Sequence, residues 1–123
     1  MPHATILYVE DNHLVAGAVR GLLEAGGWSV EWHAAGGTAI SRLAGAAPYD
    51  LLLFGDDLPG MTGVELAQCA RDLPRYRSTP IILLSAGDCR AEAMRAGADE
   101  FLRKPEDVGR LVAVVASLLA AKR

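Results

Sequence analysis

Carboxylates, one hydroxyl and one ammonium fall at matching places along this chain. Glu10 and Asp11 follow the apolar run Ile6-Leu7-Tyr8-Val9. Gly55-Asp56-Asp57, then Leu58-Pro59-Gly60-Met61, follow Leu51-Leu52-Leu53-Phe54. Ser85-Ala86 follows Ile81-Ile82-Leu83-Leu84, and Arg103-Lys104-Pro105 follows the last run, which ends at Leu102. Grouped carboxylates repel unless a hard cation such as Mg²⁺, or a lysine, compensates them. A hydroxyl and an ammonium facing such a cation would suit a phosphoryl group. Taken singly, the Asp56-Asp57 and Pro59-Gly60 stretch reads as a polar turn and Lys104 as a solvated side chain. Recurrence at four of the five run ends is what such readings leave unexplained.

The elements that must position these groups follow from periodicity. Five short apolar runs recur: Ala4 to Val9, Trp28 to Trp32, Asp50 to Phe54, Pro80 to Leu84 and Asp99 to Leu102. The first, third and fourth are nearly continuous blocks, as expected of strands covered on both faces. The second alternates, with Trp28, Val30 and Trp32 on one side, and reads as an edge strand whose tryptophans pack structurally. Between the runs, Leu14, Val15, Ala18, Val19, Leu22 and Leu23 repeat at helical period behind a candidate Asn12 cap. Ile40, Leu43 and Ala44 suggest a second helix, Leu66, Cys69, Ala70 and Leu73 a third, and Ala91 and Met94 a short fourth. Val108, Leu111, Val112, Val115, Leu118 and Leu119 form the clearest stripe. Strands alternating with helices imply an α/β fold with a parallel sheet and right-handed crossovers. In such sheets the site lies at the carboxyl ends of the strands, where the polar groups fall.

Composition narrows the classes further. At 123 residues, 51% hydrophobic and 22% charged, the chain reads as one domain, residues 1–123, able to bury a core. The apolar stretch from Leu111 to Ala121 is shorter than the ~20 residues that span a bilayer, and the N-terminus has no export pattern, so the cytoplasm is the default location. A net charge of −3 argues against a nucleic-acid binder. Residues 1–86 carry 5 basic and 9 acidic side chains, residues 87–123 carry 7 and 6, so the acidic excess sits with the candidate site. Cys69 and Cys89 have neither C-x-x-C nor metal-ligand spacing, and a disulfide is not expected. His3, His13 and His33 are scattered, and Arg71, Arg75 and Arg77 read as a solvated patch.

The runs Ile-Leu-Tyr-Val-Glu10-Asp11, Asp50-Leu-Leu-Leu-Phe54, Leu58-Pro59-Gly60-Met61-Thr-Gly63, Ser85-Ala86, Ala96-Gly97-Ala98-Asp99-Glu-Phe101 and Lys104-Pro105 resemble, in order and spacing, the receiver domain of two-component response regulators. The resemblance covers essentially the whole chain. It implies a three-layer, doubly wound, five-stranded parallel sheet in order 2-1-3-4-5, of flavodoxin-like receiver type, and Mg²⁺-dependent phosphotransfer from a histidine kinase to an aspartate after the third strand. Glu10 and Asp11 resemble the acidic metal-binding pair, Ser85 the hydroxyl that contacts the phosphoryl group, and Lys104 its ion-pair partner. Phe101 resembles the aromatic that changes rotamer, and Lys104-Pro105 the family's cis peptide.

Gly55 stands at the position where the resemblance places the accepting aspartate. Glycine offers no carboxylate nucleophile and removes one metal ligand. Period-2 alternation expects Asp56 to point away from the site and Asp57 to return to it, and the resemblance implies that position 57 borders the metal, so Asp57 joins Glu10 and Asp11 as a candidate metal ligand. Mg²⁺ binding is expected to be weak or absent, and Lys104 to pair with Asp11 or Asp57. The leading expectation is a degenerate receiver, not an enzyme, acting on protein partners: a histidine kinase or an output protein. The alternatives are an acceptor at Asp57 or Asp56, or a small phosphotransferase or phosphatase of another doubly wound family. For the last, no G-x-x-x-x-G-K-[ST] occurs and no G-x-G-x-x-G follows a strand. The segment from Ser85 to Gly97 looks about three residues short for a receiver, so a truncated fourth helix and a reshaped neighbouring surface are expected.

Overall fold

The computed structural model describes residues 4–45 and 48–121. Its long strands are β1 (Thr5–Val9), β2 (Ser29–His33), β3 (Leu51–Gly55), β6 (Ile81–Ser85) and β7 (Glu100–Arg103). They form one parallel sheet in the order β2-β1-β3-β6-β7. This is the order 2-1-3-4-5 when only the strands of that sheet are counted. β2 lies at an edge, as its alternation implies. The continuous blocks β3 and β6 are buried at every residue.

Alternation along the strands divides the core between the two faces of the sheet. Leu7, Val9, Leu52, Phe54, Leu83 and Phe101 meet α2 (Gly36–Ala44), α3 (Gly63–Arg71) and α4 (Arg90–Arg95). Ile6, Tyr8, Leu51, Leu53, Leu84 and Leu102 meet α1 (His13–Ala25) and α5 (Leu111–Ala121). Trp28 and Trp32 pack against this second cluster, in the structural role expected of them.

The structure departs from the sequence expectations in five places. In α1, which Asn12 does cap through Leu14 and Val15 N–H, the buried residues are Ala16, Val19 and Leu23, whereas Leu14 is 87% exposed and Ala18 and Leu22 also face outward. The apolar stripe is wider than the sheet can cover. In α3 the buried residues are Gly63, Leu66, Ala67 and Ala70, with Cys69 exposed, and in the six-residue α4 Ala93 turns inward and Met94 outward. Arg71 is no solvated side chain: it donates to the carbonyls of Tyr76, Thr79 and Gly97 and pairs with Asp99, tying α3 to the ends of β6 and β7. Finally, a short antiparallel hairpin, β4 (Asp57–Leu58) with β5 (Met61–Thr62), leads into α3, its turn passing through Gly60 at φ +80.

Two polar groups of the framework lead to measurable expectations. The Tyr8 hydroxyl is buried without a hydrogen-bond partner, and burial, reinforced by the Glu10 charge, raises its pKa far above the usual tyrosine range. Tyr8→Phe is expected to leave stability unchanged or raise it by up to about 1 kcal/mol, read from urea midpoints. On β2, the Glu31 carboxylate accepts hydrogen bonds from Arg42 and Tyr49 and pairs with His33, which holds α2 and the segment before β3 against the edge strand. The Arg42 hydrogen bond, with smaller help from His33 and Tyr49 against the opposing effect of burial, lowers its pKa from 4.5 to about 2. A depressed carboxylate adds stability above its unfolded pKa and loses it as pH falls through the folded one. Unfolding midpoints are therefore expected to drop between pH 4.5 and pH 2, with a shallower drop in Glu31→Gln.

Candidate functional site

The parallel register carries the carboxyl ends of β1, β3, β6 and β7 to one edge of the sheet. Glu10 leaves β1 with its backbone fixed on both sides: its N–H donates to His33 O at 3.0 Å and its carbonyl accepts from the Trp32 indole at 2.9 Å. Its side chain is 2% exposed. Oε2 accepts from Asn12 N–H at 3.1 Å, and Oε1 accepts from Lys104 Nζ at 2.9 Å. Lys104 leaves β7 through the Lys104–Pro105 cis peptide expected from the sequence. The ammonium therefore pairs with Glu10, not with Asp11 or Asp57. Asp11 is exposed, and Asp57 is exposed on the β4–β5 hairpin.

Position 55 explains where Glu10 sits. Gly55 is the last residue of β3, and a Cβ there would lie 2.9 Å from Glu10 Oε1 and 3.2 Å from Val9 O. The absent side chain leaves the space the Glu10 carboxylate now borders. Beyond it, the expected alternation fails. Asp56 faces the site, its Oδ2 accepting from Ser85 Oγ at 3.2 Å, and Asp57 does not. The reason is local: strand geometry ends at Gly55, Asp56 occupies a bend, and Asp57 is committed to pairing with Thr62.

Ser85 is fully buried, and its hydroxyl also accepts from Gly87 N–H at 2.9 Å. The Cys89 thiol points at the same hydroxyl, and burial raises its pKa, so it is a poor nucleophile at neutral pH. Phe101 is 1% exposed beneath the guanidiniums of Arg90 and Arg103, at 5.0 and 5.9 Å from the ring centre. Arg103 donates to Gly87 O and pairs with Asp88, pinning the short loop between β6 and α4. Trp32 is a supporting residue that sequence reasoning did not place at the site, and Arg103, although it ends the last strand, was given no role there. Nothing in their spacing signals it, because each acts by the direction of one long side chain.

The sheet order, the edge of the sheet on which these groups meet and the cis peptide together define a class, and comparison with known proteins agrees. The response regulator receiver domain family matches residues 6–116, and the chain belongs to that family. It is 36% identical over 117 residues to the phosphate regulon transcriptional regulatory protein PhoB of Rhizobium meliloti, covering 93% of this chain and 51% of that protein. Among solved structures it is similar to chemotaxis protein CheY4 of Vibrio cholerae, with a TM-score of 0.87, 27% identity and 95% and 99% of the two chains covered. It is also similar to the receiver domain of sensor histidine kinase PA1611 of Pseudomonas aeruginosa, solved with magnesium in its active-site cleft, with a TM-score of 0.88, 26% identity and 98% and 100% coverage. The chain spans about half the length of the first curated relatives it matches. It is thus a receiver domain of two-component signalling, a family that exchanges signals with histidine kinases and output domains.

Receivers can bind Mg²⁺, and the residues present can be tested against that ion. Among the described residues no three His, Cys, Asp or Glu side chains come together as a metal site. The candidate set Glu10, Asp11 and Asp57 is dispersed: Glu10 is spent on Lys104 and Asn12, and the other two face solvent. An ion that demands near-octahedral oxygen ligands does not fit this arrangement. Because the Trp32 indole holds the Glu10 carbonyl, tryptophan fluorescence reports on the site. Titration with Mg²⁺ is expected to give no saturable change below the millimolar range, and a sub-millimolar transition would contradict the geometry.

Proposed function

We propose that this receiver acts through its protein contacts and carries no aspartyl phosphate at the end of β3. The observation behind this reading is Gly55: the strand end that faces Glu10 and Lys104 bears no carboxylate. A nucleophile is the one part of aspartyl phosphorylation that neighbouring residues cannot replace without moving. Residues 1–123 act as a single receiver domain, in a bacterial cytoplasm, on a histidine kinase or an output protein, without turning over a substrate of its own. The short α4 and the pinned loop before it favour a partner surface held in one form.

A second reading rests on one contact. Asp56, not Asp57, places its carboxylate 3.2 Å from Ser85 Oγ and so could accept a phosphoryl group in a displaced geometry. A carboxylate oxygen would bond to phosphorus as the donor's bond to it breaks. Against it stands Lys104, whose ammonium is engaged elsewhere.

One experiment separates the two. Wild type, Gly55→Asp and Asp56→Asn are incubated with acetyl phosphate and Mg²⁺, and acyl phosphate is counted by intact mass. The first reading expects phosphorylation of Gly55→Asp alone. Wild-type phosphorylation lost in Asp56→Asn would establish the second, and any stable wild-type acyl phosphate would overturn the first.

A further inference from the structure

A second group of chemistry-bearing side chains lies on the edge strand β2 and the first turns of α2. His33 Nε2 stands 2.8 Å from Glu31 Oε2, and His33 Nδ1 stands 3.1 Å from Thr38 Oγ. Arg42 and Tyr49 donate to the same carboxylate, which stays ionised at neutral pH because its pKa is lowered to about 2. An ionised carboxylate only accepts hydrogen bonds, so the His33 ring carries its proton on Nε2. Neutral His33 then offers the Nδ1 lone pair to the Thr38 hydroxyl, whose proton is shared with Ala35 O at 3.0 Å. Hydroxyl, imidazole and carboxylate stand in the order of nucleophile, base and orienting anion, the arrangement that activates a hydroxyl. The hydroxyl is also within reach of a reagent. Thr38 is exposed, and beside it Gly37 has nothing within 4 Å of the place a Cβ would take.

We propose that Thr38 is a covalent modification site, an activated hydroxyl that takes an acyl group from an activated ester. His33 is the base that receives its proton, and Glu31 is a positioning residue that holds the ring in the required tautomer. The Thr38 oxygen bonds to the acyl carbon as that carbon's bond to the donor's alcohol or phenol oxygen breaks. The electron pair of the broken bond stays on the leaving oxygen, and the hydroxyl proton passes through His33 Nδ1 to it. One acyl group is carried per chain as an ester of Thr38, so the event is a modification and not a turnover. It goes beyond the reading above and rests on nothing at position 55. It also gives the β2 edge a chemistry of its own, since none of its three members belongs to the strand-end carboxylates, Ser85 or Lys104.

The test exposes the full chain briefly to p-nitrophenyl acetate and locates acetyl esters by peptide mass. Ser41, an exposed hydroxyl on the same helix that donates to Gly37 O at 3.3 Å, is the internal reference. In the wild type, Thr38 is expected to be acetylated at least about tenfold faster than Ser41. Thr38→Ser should keep the reaction at that position, Thr38→Val should abolish it, and His33→Gln should slow it to the Ser41 rate. Equal rates at Thr38 and Ser41 in the wild type, or a Thr38 rate that His33→Gln leaves unchanged, would overturn the proposal. Glu31 has a separate readout in the ring nitrogen shifts of neutral His33. The wild type should show the proton on Nε2 and a bare Nδ1, and Glu31→Gln should mix the two tautomers. A wild-type ring protonated on Nδ1, or a tautomer indifferent to Glu31→Gln, would equally overturn it. Failure here leaves the Gly55→Asp phosphorylation result untouched. Conversely, an acyl phosphate on the wild type would defeat the broader reading without altering acetylation at Thr38.

Discussion

A buried carboxylate has to be compensated, and the edge of this sheet is arranged around how Glu10 meets that requirement. Glu10 follows β1 and Lys104 follows β7, strands separated in the sheet by β3 and β6. Three spacings of about 4.8 Å put roughly 14 Å between the strand axes, so both side chains must reach across the intervening strand ends. Those ends are Gly55 and Ser85, a hydrogen and a hydroxymethyl group, and the path is open. The ion pair at 2.9 Å is the outcome of that clearance. Lys104 keeps 20% of its side chain exposed, which places the pair between a surface contact of small value and a deeply buried one whose desolvation can cancel its gain.

Other contacts at the same edge act in the same direction. Arg103 holds the loop after β6, Arg90 and Arg103 cover Phe101, and Ser85 is engaged by both Asp56 and Gly87. Here each has an intramolecular partner already, and the aromatic ring lies fully inside. The physical picture is of a sheet edge whose polar groups are satisfied by the protein's own residues.

Much of this was legible in the residues. Continuous apolar blocks predicted the covered strands, the alternation from Trp28 to Trp32 predicted the edge strand, and Glu10, Ser85 and Lys104 do meet at one edge. What was not legible depends on where regular geometry stops. Alternation predicted Asp57 at the site and Asp56 away from it, but β3 ends at Gly55 and the β4–β5 hairpin claims Asp57, so Asp56 turns to Ser85. The partner of Lys104 was misassigned because spacing along a chain does not show that removing one side chain frees the path for a different carboxylate. The role of Arg71 carries no sequence signal, since its carbonyl acceptors are backbone groups, which no residue type announces.

The central claim is that Glu10 and Lys104 are coupled because position 55 is empty. A double-mutant cycle on stability, Glu10→Gln against Lys104→Gln, repeated in a Gly55→Ala background, tests it most directly. The account predicts a coupling energy of about 1 kcal/mol in the wild type that falls toward zero once a Cβ displaces the Glu10 carboxylate. Additive effects within ~0.3 kcal/mol in the wild type, or a coupling that Gly55→Ala leaves intact, would contradict it.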